Sequence, residues 1–542
     1  MIHFVVLILF LCTGTVFGFT ESDVRFLRGL ADRNLFESVE IFCNSEFQNP
    51  NVLAIQKTLL ATELVRSRTQ QMLLAEPVRR PELRKRLSEL ETQLLETPLL
   101  ASPAEWNDPE LWLARNSLRF QFAVAEYSLG DWQRLESEIV PASAKDEAAQ
   151  FARTTLLHSL ERFQHCTEQL EQLRQKTGLN TDPLFKRRFL VQLHSIRYQS
   201  GLAQMSFALT FPSGDDRIFS LNRAVVLLTE LASLPVDDPV IFRSRIELAT
   251  AHRLLGQLEK GKEWLTRLQN AELTPELRFQ AEAELIRYYD AAGNIKEAVR
   301  KIEENHHDSS IYPDYELAKL EILLALSRQF KEKTEQQTEI NRTILEQIRR
   351  IDLQFGAYWG RRARMFLGAS HLTETSHIDT PLLKMLAEDQ FQSGRYTEAV
   401  RFFEMASRQA EIAGDQDGMF GNAVSAIAVL SEVLNRLETP SLAQPEMAIS
   451  QTEIALCRRQ IIGGLRDLSM RYPQYPNAAE LHLKAIDLSA QAVLKKEMPL
   501  DNYLVLLREH AEEWSDSVKI PPLLLRAAVL LESQGQSAEV LL

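Results

Sequence analysis

The side chains best able to do chemistry are few and scattered along this 542-residue chain. His306-His307-Asp308 is the densest ligand-like cluster. A metal site needs three or four converging ligands, and no other His or Cys neighbours this cluster in sequence. Ser213-Gly214-Asp215-Asp216 offers two acids without the twelve-residue spacing of a calcium loop. Glu303-Glu304 and Glu512-Glu513 are adjacent pairs, so the two members point to different faces of a helix and do not share acid–base work. His510 and Glu513 can share a face; a surface pair is expected there, because a di-iron helix set needs more than one such copy. No GxxxxGK[ST], HExxH, GxSxG or GxGxxG motif occurs. The sequence therefore names no catalytic residue, no metal ligand and no cofactor, and leaves the binding residues unassigned.

Cys43, Cys166 and Cys457 are far apart and odd in number once the N-terminal segment is set aside. They form neither a disulfide framework nor a CxxC site, and buried free thiols are expected. The net charge is −13 and the pI about 5.5, which argues against nucleic acid as a partner. Two basic stretches stand out. One is Arg79-Arg80-Pro81-Glu82-Leu83-Arg84-Lys85-Arg86. The other is Arg349-Arg350 with Tyr358-Trp359-Gly360-Arg361-Arg362 and Arg364. The second could grip a phosphate-bearing or acidic polymer. The simpler expectation is a solvated helix face with its aromatics tucked inward, since Glu82, Glu89 and Glu91 punctuate the first stretch.

Whatever positions these residues is helical. Leu, Ala, Glu, Gln and Arg dominate, all good helix formers, and no alternating run of Val, Ile and Thr reads as a strand. Hydrophobic content of 45% with mixed charge gives a folded chain. A turn grammar recurs within it. Leu386-Ala387 leads to Gly394-Arg395-Tyr396-Thr397-Glu398-Ala399-Val400, then Phe403 and Ala406. Leu285-Ile286 leads to Gly293-Asn294-Ile295-Lys296-Glu297-Ala298-Val299, then Ile302. Leu248-Ala249 leads to Gly256-Gln257-Leu258, then Gly261 and Leu265. Each glycine is expected at positive φ past a helix end. Ala298, Ala399 and Gly261 are small so that two helices can approach. Gly256 and Gly293 are 37 apart, and Arg328 stands 35 further on in place of glycine. Pro239, Pro275 and Pro313 mark unit starts at separations of 36 and 38.

These residues resemble the tetratricopeptide repeat, an αα-hairpin of about 34 residues. The resemblance implies an all-α solenoid of stacked hairpins wound as a right-handed superhelix, whose concave surface, lined by first helices, holds a peptide or partner protein. Repeat families of this kind usually act as adaptors, so a non-enzymatic scaffold is expected. Two alternatives are the helical superhelix of an envelope enzyme such as a lytic transglycosylase, and a purely structural assembly component. No stretch is left over to build a separate catalytic domain.

Phe4 to Leu11 is an unbroken apolar run, and Val16 and Gly18 meet the small-residue rule before a cut after Gly18. A cleaved signal over residues 1–18 and an exported, periplasmic or envelope-associated protein follow. A retained anchor and lipidation at Cys12 are the alternatives. No later segment is expected to span a membrane. Residues 19–140 carry two degenerate repeats, one turning at Asn34 and one at Gly130-Asp131-Trp132. Residues 141–238 are helical but off-pattern, with helices at 147–176 and 183–209. Residues 239–380 and 381–542 carry the clearer repeats. The Arg471-Tyr472-Pro473-Gln474-Tyr475-Pro476 stretch resembles repeat starts of outer-membrane-assembly and Tol-associated envelope proteins. A further repeat opens at Ala527-Ala528 and Gly535-Gln536-Ser537 and stops at Leu542, which leaves self-association open.

Overall fold

The computed structural model describes residues 21–533, apart from 76–78, 97–99, 101–107, 141, 178–181, 236–237, 305–311, 330–334, 372–378 and 440–450. The N-terminal apolar run with Cys12, the His306-His307-Asp308 cluster and Gly535-Gln536-Ser537 lie outside the described residues. Among the described residues all regular structure is helical. The chain divides into two compact units, 1–375 and 376–542.

The first unit opens with α1 (Glu21–Asp32), α2 (Phe36–Gln48), α3 (Ala54–Leu74), α4 (Arg80–Leu95), α5 (Pro109–Ser137) and α6 (Ala142–Thr177). It continues with α7 (Pro183–Leu209), α8 (Asp215–Ala232), α9 (Pro239–Leu254), α10 (Leu258–Gln269) and α11 (Pro275–Ala291). It ends with α12 (Ile295–Glu304), α13 (Pro313–Ser327), α14 (Glu335–Phe355) and α15 (Ala357–His371). The second unit holds α16 (Thr380–Gln392), α17 (Tyr396–Ile412), α18 (Gln416–Glu438), α19 (Gln451–Arg471), α20 (Ala478–Leu494), α21 (Leu500–Glu513) and α22 (Ile520–Ser533).

Helix starts follow local chemistry. Asp108, Asp182 and Asp238 each precede a proline, and each carboxylate accepts a backbone N–H of the first turn; Val240 N lies 2.8 Å from Asp238. The proline occupies a position whose N–H has no helical partner. Thr274 does the same for α11. Pro239, Pro275 and Pro313 open α9, α11 and α13, as their spacing predicts.

Helix ends follow the turn grammar. Gly256, Gly293 and Gly394 have φ of 71°, 72° and 72°, and Asn34 has 61°. Behind each, the next residue's N–H reaches back to the third-last helical carbonyl, as Gln257 does to His252 O at 2.8 Å. That is the Schellman closure. Gly414 and Lys496 close α17 and α20 in the same way (φ 76° and 61°), two turns the repeat spacing does not announce. Arg328 is different: its φ is −69°, so it is an ordinary right-handed cap and not a glycine substitute. Ala298 and Ala399 are fully buried, and a β-carbon on Gly261 would meet Ala249 O at 3.1 Å.

Gly130 corrects a second expectation. It does not end a helix; α5 runs unbroken through it. A β-carbon there would sit 2.7 Å from Leu156 Cγ. The glycine lets α5 and α6 cross closely, so a packing glycine had the look of a turn glycine. α18 corrects a third: by length and composition it could cross a membrane. Here its Met419, Phe420, Val429 and Leu434 are buried, and it packs between α17 and α19.

In the first unit alternate helices touch. α3, α5, α7, α9, α11, α13 and α15 form an inner row in which each contacts the next, and α15 returns to contact α3. The even-numbered helices pair with them on the outside. The unit is an all-α solenoid of tetratricopeptide-like hairpins whose inner row closes on itself. The second unit stacks α16 to α22 in order, and α18 to α22 share an apolar core that includes Phe420, Leu465, Ile486, Leu507 and Leu530.

Candidate functional site

Ring closure in the first unit rests on the basic, aromatic start of α15. Trp132 of α5 is 2% exposed. The guanidinium groups of Arg80 and Arg361 each lie 5.6 Å from its ring, and the Tyr358 ring lies 5.0 Å away. Glu136 accepts from Arg80 at 2.8 Å, Arg361 at 3.0 Å and Trp132 Nε1 at 3.1 Å. Two cations beside one indole, tied to one carboxylate, make a clasp between segments 225 residues apart. Arg364 faces Asp352 at 3.4 Å. Neither the polymer-gripping reading of this stretch nor the solvated one holds for Arg361 and Arg362, which turn inward. Arg84 and Arg86 of the other basic stretch pair with Glu126 and Glu82.

The inner helices converge on a polar interior. α5 brings Tyr127, Asp131 and Arg134. α7 brings Tyr198, and α9 brings Glu247 and Arg253. α11 brings Glu284 and Arg287, α13 brings Asp314 and Glu321, and α15 brings Tyr358 and Arg362. Several of them, such as Tyr127, Glu247, Arg287 and Arg362, keep partial exposure although protein surrounds them, so they face an internal space. Their charges are laddered from one inner helix to the next. Arg253 pairs with Glu284 at 2.6 Å, and Arg287 with Glu321 at 2.8 Å. Asp131 holds Arg134 at 2.9 Å and accepts from Ser206 at 2.8 Å. Glu247 occupies the same place on α9 as Glu284 on α11, but no cation lies within 4 Å of it among the described residues. Burial, then Glu284 and Asp314, push its carboxyl up to about 8 against the pull of Arg287 and Arg253. Among the described residues no carboxylate pairs with Arg362; burial opposes its charge, but Tyr358, Asp131 and Asp314 outweigh burial and hold its pKa above the usual value.

A groove of about 750 Å³ opens beside this interior. Aromatic Phe120, Tyr198, Tyr358 and Trp359 line it together with the amides of Gln70, Gln121 and Gln199. The Gln199 side-chain oxygen is buried and accepts from no group among the described residues. Asp32, Arg66 and Arg243 line it as well, so the wall presents flat apolar faces, neutral donors and acceptors, and charged groups.

The residues singled out from sequence fare differently. Cys43, Cys166 and Cys457 are buried free thiols, as expected, and burial pushes the first two up to about 12. Asp215 and Asp216 are exposed in the first turn of α8. Glu304 is taken by Arg300 and Lys301, while Glu512 and Glu513 are exposed. His510 is no surface partner of Glu513: it is fully buried, with Nε2 3.3 Å from Ser517 Oγ. Among the described residues no three His, Cys, Asp or Glu side chains gather as a metal site. The interior charges were missed from sequence, although a signal existed. Glu247, Glu284 and Glu321 are successively 37 apart, and Arg253 and Arg287 are 34 apart, so each recurs on a first helix.

No protein-family model matches the chain, and no curated protein sequence does. Solved structures similar to it include a monomeric mutant of IFIT1 with Gppp-AAAA. It is 13% identical, with 93% of this chain and 95% of that chain covered and a TM-score of 0.27. Another is the APC/C hetero-tetramer Cut9–Hcn1, 12% identical, with 94% and 96% covered and a TM-score of 0.19. Likeness at these scores supports no inference; the architecture rests on the helix contacts above.

Proposed function

We propose that this chain is a non-enzymatic interaction scaffold whose first unit holds an extended segment of a partner protein along its interior groove. The observation that carries this reading is the convergence of five inner helices, α3, α5, α7, α9 and α15, on one groove whose wall includes aromatic and amide side chains. An extended peptide offers backbone N–H and C=O groups to those amides, Gln199 among them, and lays apolar side chains on the rings. Specificity comes from many weak contacts along the row of first helices, with no covalent step. The apolar run at Phe4 to Leu11 supports the further reading that the scaffold is exported and works in the cell envelope.

A photo-crosslinking residue placed at Gln70, Gln199 or Trp359 tests the first reading in cells. The expected result is crosslinks from these positions into one continuous stretch of a single protein, and none from Phe219 on the outer helix α8. Crosslinks from Phe219 alone overturn it. For the export reading, the N-terminal residue of the mature protein is decisive: Phe19 supports it, and a retained Met1 in a cytoplasmic fraction sinks it.

A further inference from the structure

The second unit buries two imidazoles in direct contact. His482 of α20 and His510 of α21 are both fully buried. Their rings stack with centroids 5.4 Å apart and planes 17° apart, and Trp514 lies 5.2 Å from one and 5.0 Å from the other. Among the described residues, three of the four ring nitrogens have no hydrogen-bond partner: both of His482 and Nδ1 of His510. A buried polar atom without a partner is costly, so such an arrangement is unusual in a settled core.

The charged groups around the pair are few. Glu509 of α21 comes within 3.8 Å of His482 Nε2, but that carboxylate is already held by Arg466 of α19 at 2.8 Å. α22 brings Arg526, which is tied to Asp487 of α20 at 2.6 Å. The neutral pair packs as an aromatic pair. The doubly charged pair does not: two stacked imidazolium rings repel, and only one shared carboxylate is at hand.

We propose that the His482–His510 stack is an acid-sensitive latch, and that protonating it releases the terminal hairpin α21–α22 from α20. The sign is fixed by the packing. Burial first, then His510 and Arg466, hold His482 down to about 4, with Glu509 working the other way. Burial also lowers His510. A base whose folded pKa is depressed favours the open state as pH falls from its ordinary value of about 6.5 toward the folded value. Above pH 7 the latch is shut. Counting His482 alone, each pKa unit is a factor of ten, so the opening constant rises about thirtyfold between pH 7.5 and pH 5. Opening uncovers Leu506, Leu507 and Leu523, which are buried in the closed unit. Glu509 is held below the usual carboxylate range, chiefly by its hydrogen bonds from Arg466, so it does not titrate in this window.

Hydrogen exchange on the full chain, corrected for intrinsic rates, tests this at pH 7.5 and pH 5. The expected result is an acid-induced loss of protection in residues 478–533 larger than in 416–438. The variant His482→Phe/His510→Phe keeps two stacked rings and cannot be protonated; its protection in 478–533 is expected to be the same at both pH values. Equal protection at both pH values in the wild type overturns the proposal, and so does an unchanged acid response in the variant. Should the double variant not fold, the imidazole proton resonances of the wild type decide. Two histidines titrating well below 6, in step with the loss of protection, support the latch. Ordinary midpoints near 6.5 overturn it.

Discussion

The two units bury ionisable groups in different ways. The first surrounds an interior with arginines and carboxylates and pairs four of them across consecutive inner helices, as Arg253–Glu284 and Arg287–Glu321. The second packs two neutral imidazoles against an indole in an apolar core. Both are built from helix hairpins closed by Schellman turns. The difference lies in curvature and closure. A row that returns on itself leaves an internal space in which charged side chains keep some hydration. The apolar core of the second unit gives its buried groups no such space: Arg458 keeps its charge there only through Glu438 and Glu497, while the two histidines give theirs up.

The largest expected effect comes from breaking the clasp. Trp132→Ala should destabilise the first unit by about 3–5 kcal/mol, as loss of a large buried aromatic does. Exchange in α3, α5 and α15 should quicken while α19–α21 hold. Equal loosening of α19–α21 would mean that the two units do not unfold separately, and the comparison drawn above would fail. Next is Gly130→Ala, which forces a β-carbon against Leu156 and should cost about 1–3 kcal/mol in urea denaturation. A neutral result there would show that α5 and α6 can part without penalty. Gly256→Ala and Gly394→Ala test what the units share. Each should cost about 1 kcal/mol, since both sit at positive φ, and a β-carbon at Gly256 would meet nothing within 4 Å. A much smaller cost in one unit would show that its turn relaxes.

The dependence on pH sharpens the contrast most. Glu247 has a raised pKa, so the folded first unit binds more protons than the unfolded chain between about pH 4.5 and 8, and its stability should fall as pH rises through that window. His482 and His510 give the second unit the reverse slope between about pH 4 and 6.5. Each slope amounts to less than one proton per chain for each group. Glu247→Gln should flatten the first slope and leave the second, as read by denaturation midpoints across pH 5 to 8.

Much of this fold was legible in the chain. Pro239, Pro275 and Pro313 gave three helix starts to the residue, and Gly256, Gly293, Gly394 and Asn34 gave four left-handed turns, because these residues fix backbone geometry locally. Gly130 misled because a glycine serves close packing as readily as a turn, and only the presence of Leu156 across the crossing tells the two apart. Lys496 was invisible because the Schellman bonds themselves can hold a non-glycine residue at positive φ. The candidate groove was not legible. Gln70, Tyr198 and Trp359 come from helices far apart in sequence, and their meeting depends on how tightly the row curves, which is the sum of many small packing angles. His510 looked like a surface residue because a charged neighbour at helical spacing suggested an exposed face. Its burial is decided by α20, which carries the other histidine.

The bond from Arg361 to Glu136 also bears on how the molecule assembles. Hairpins stack on their sequence neighbours, so most of the first unit can form by local zipping. The clasp cannot; it joins segments 225 residues apart and must wait until the intervening hairpins are in place. An open solenoid frays from its last repeat inward. A closed one has no last repeat until the clasp parts. Its loss of structure is therefore gated by a single event at Trp132, and its lifetime is set by one barrier where an open stack would have many small ones.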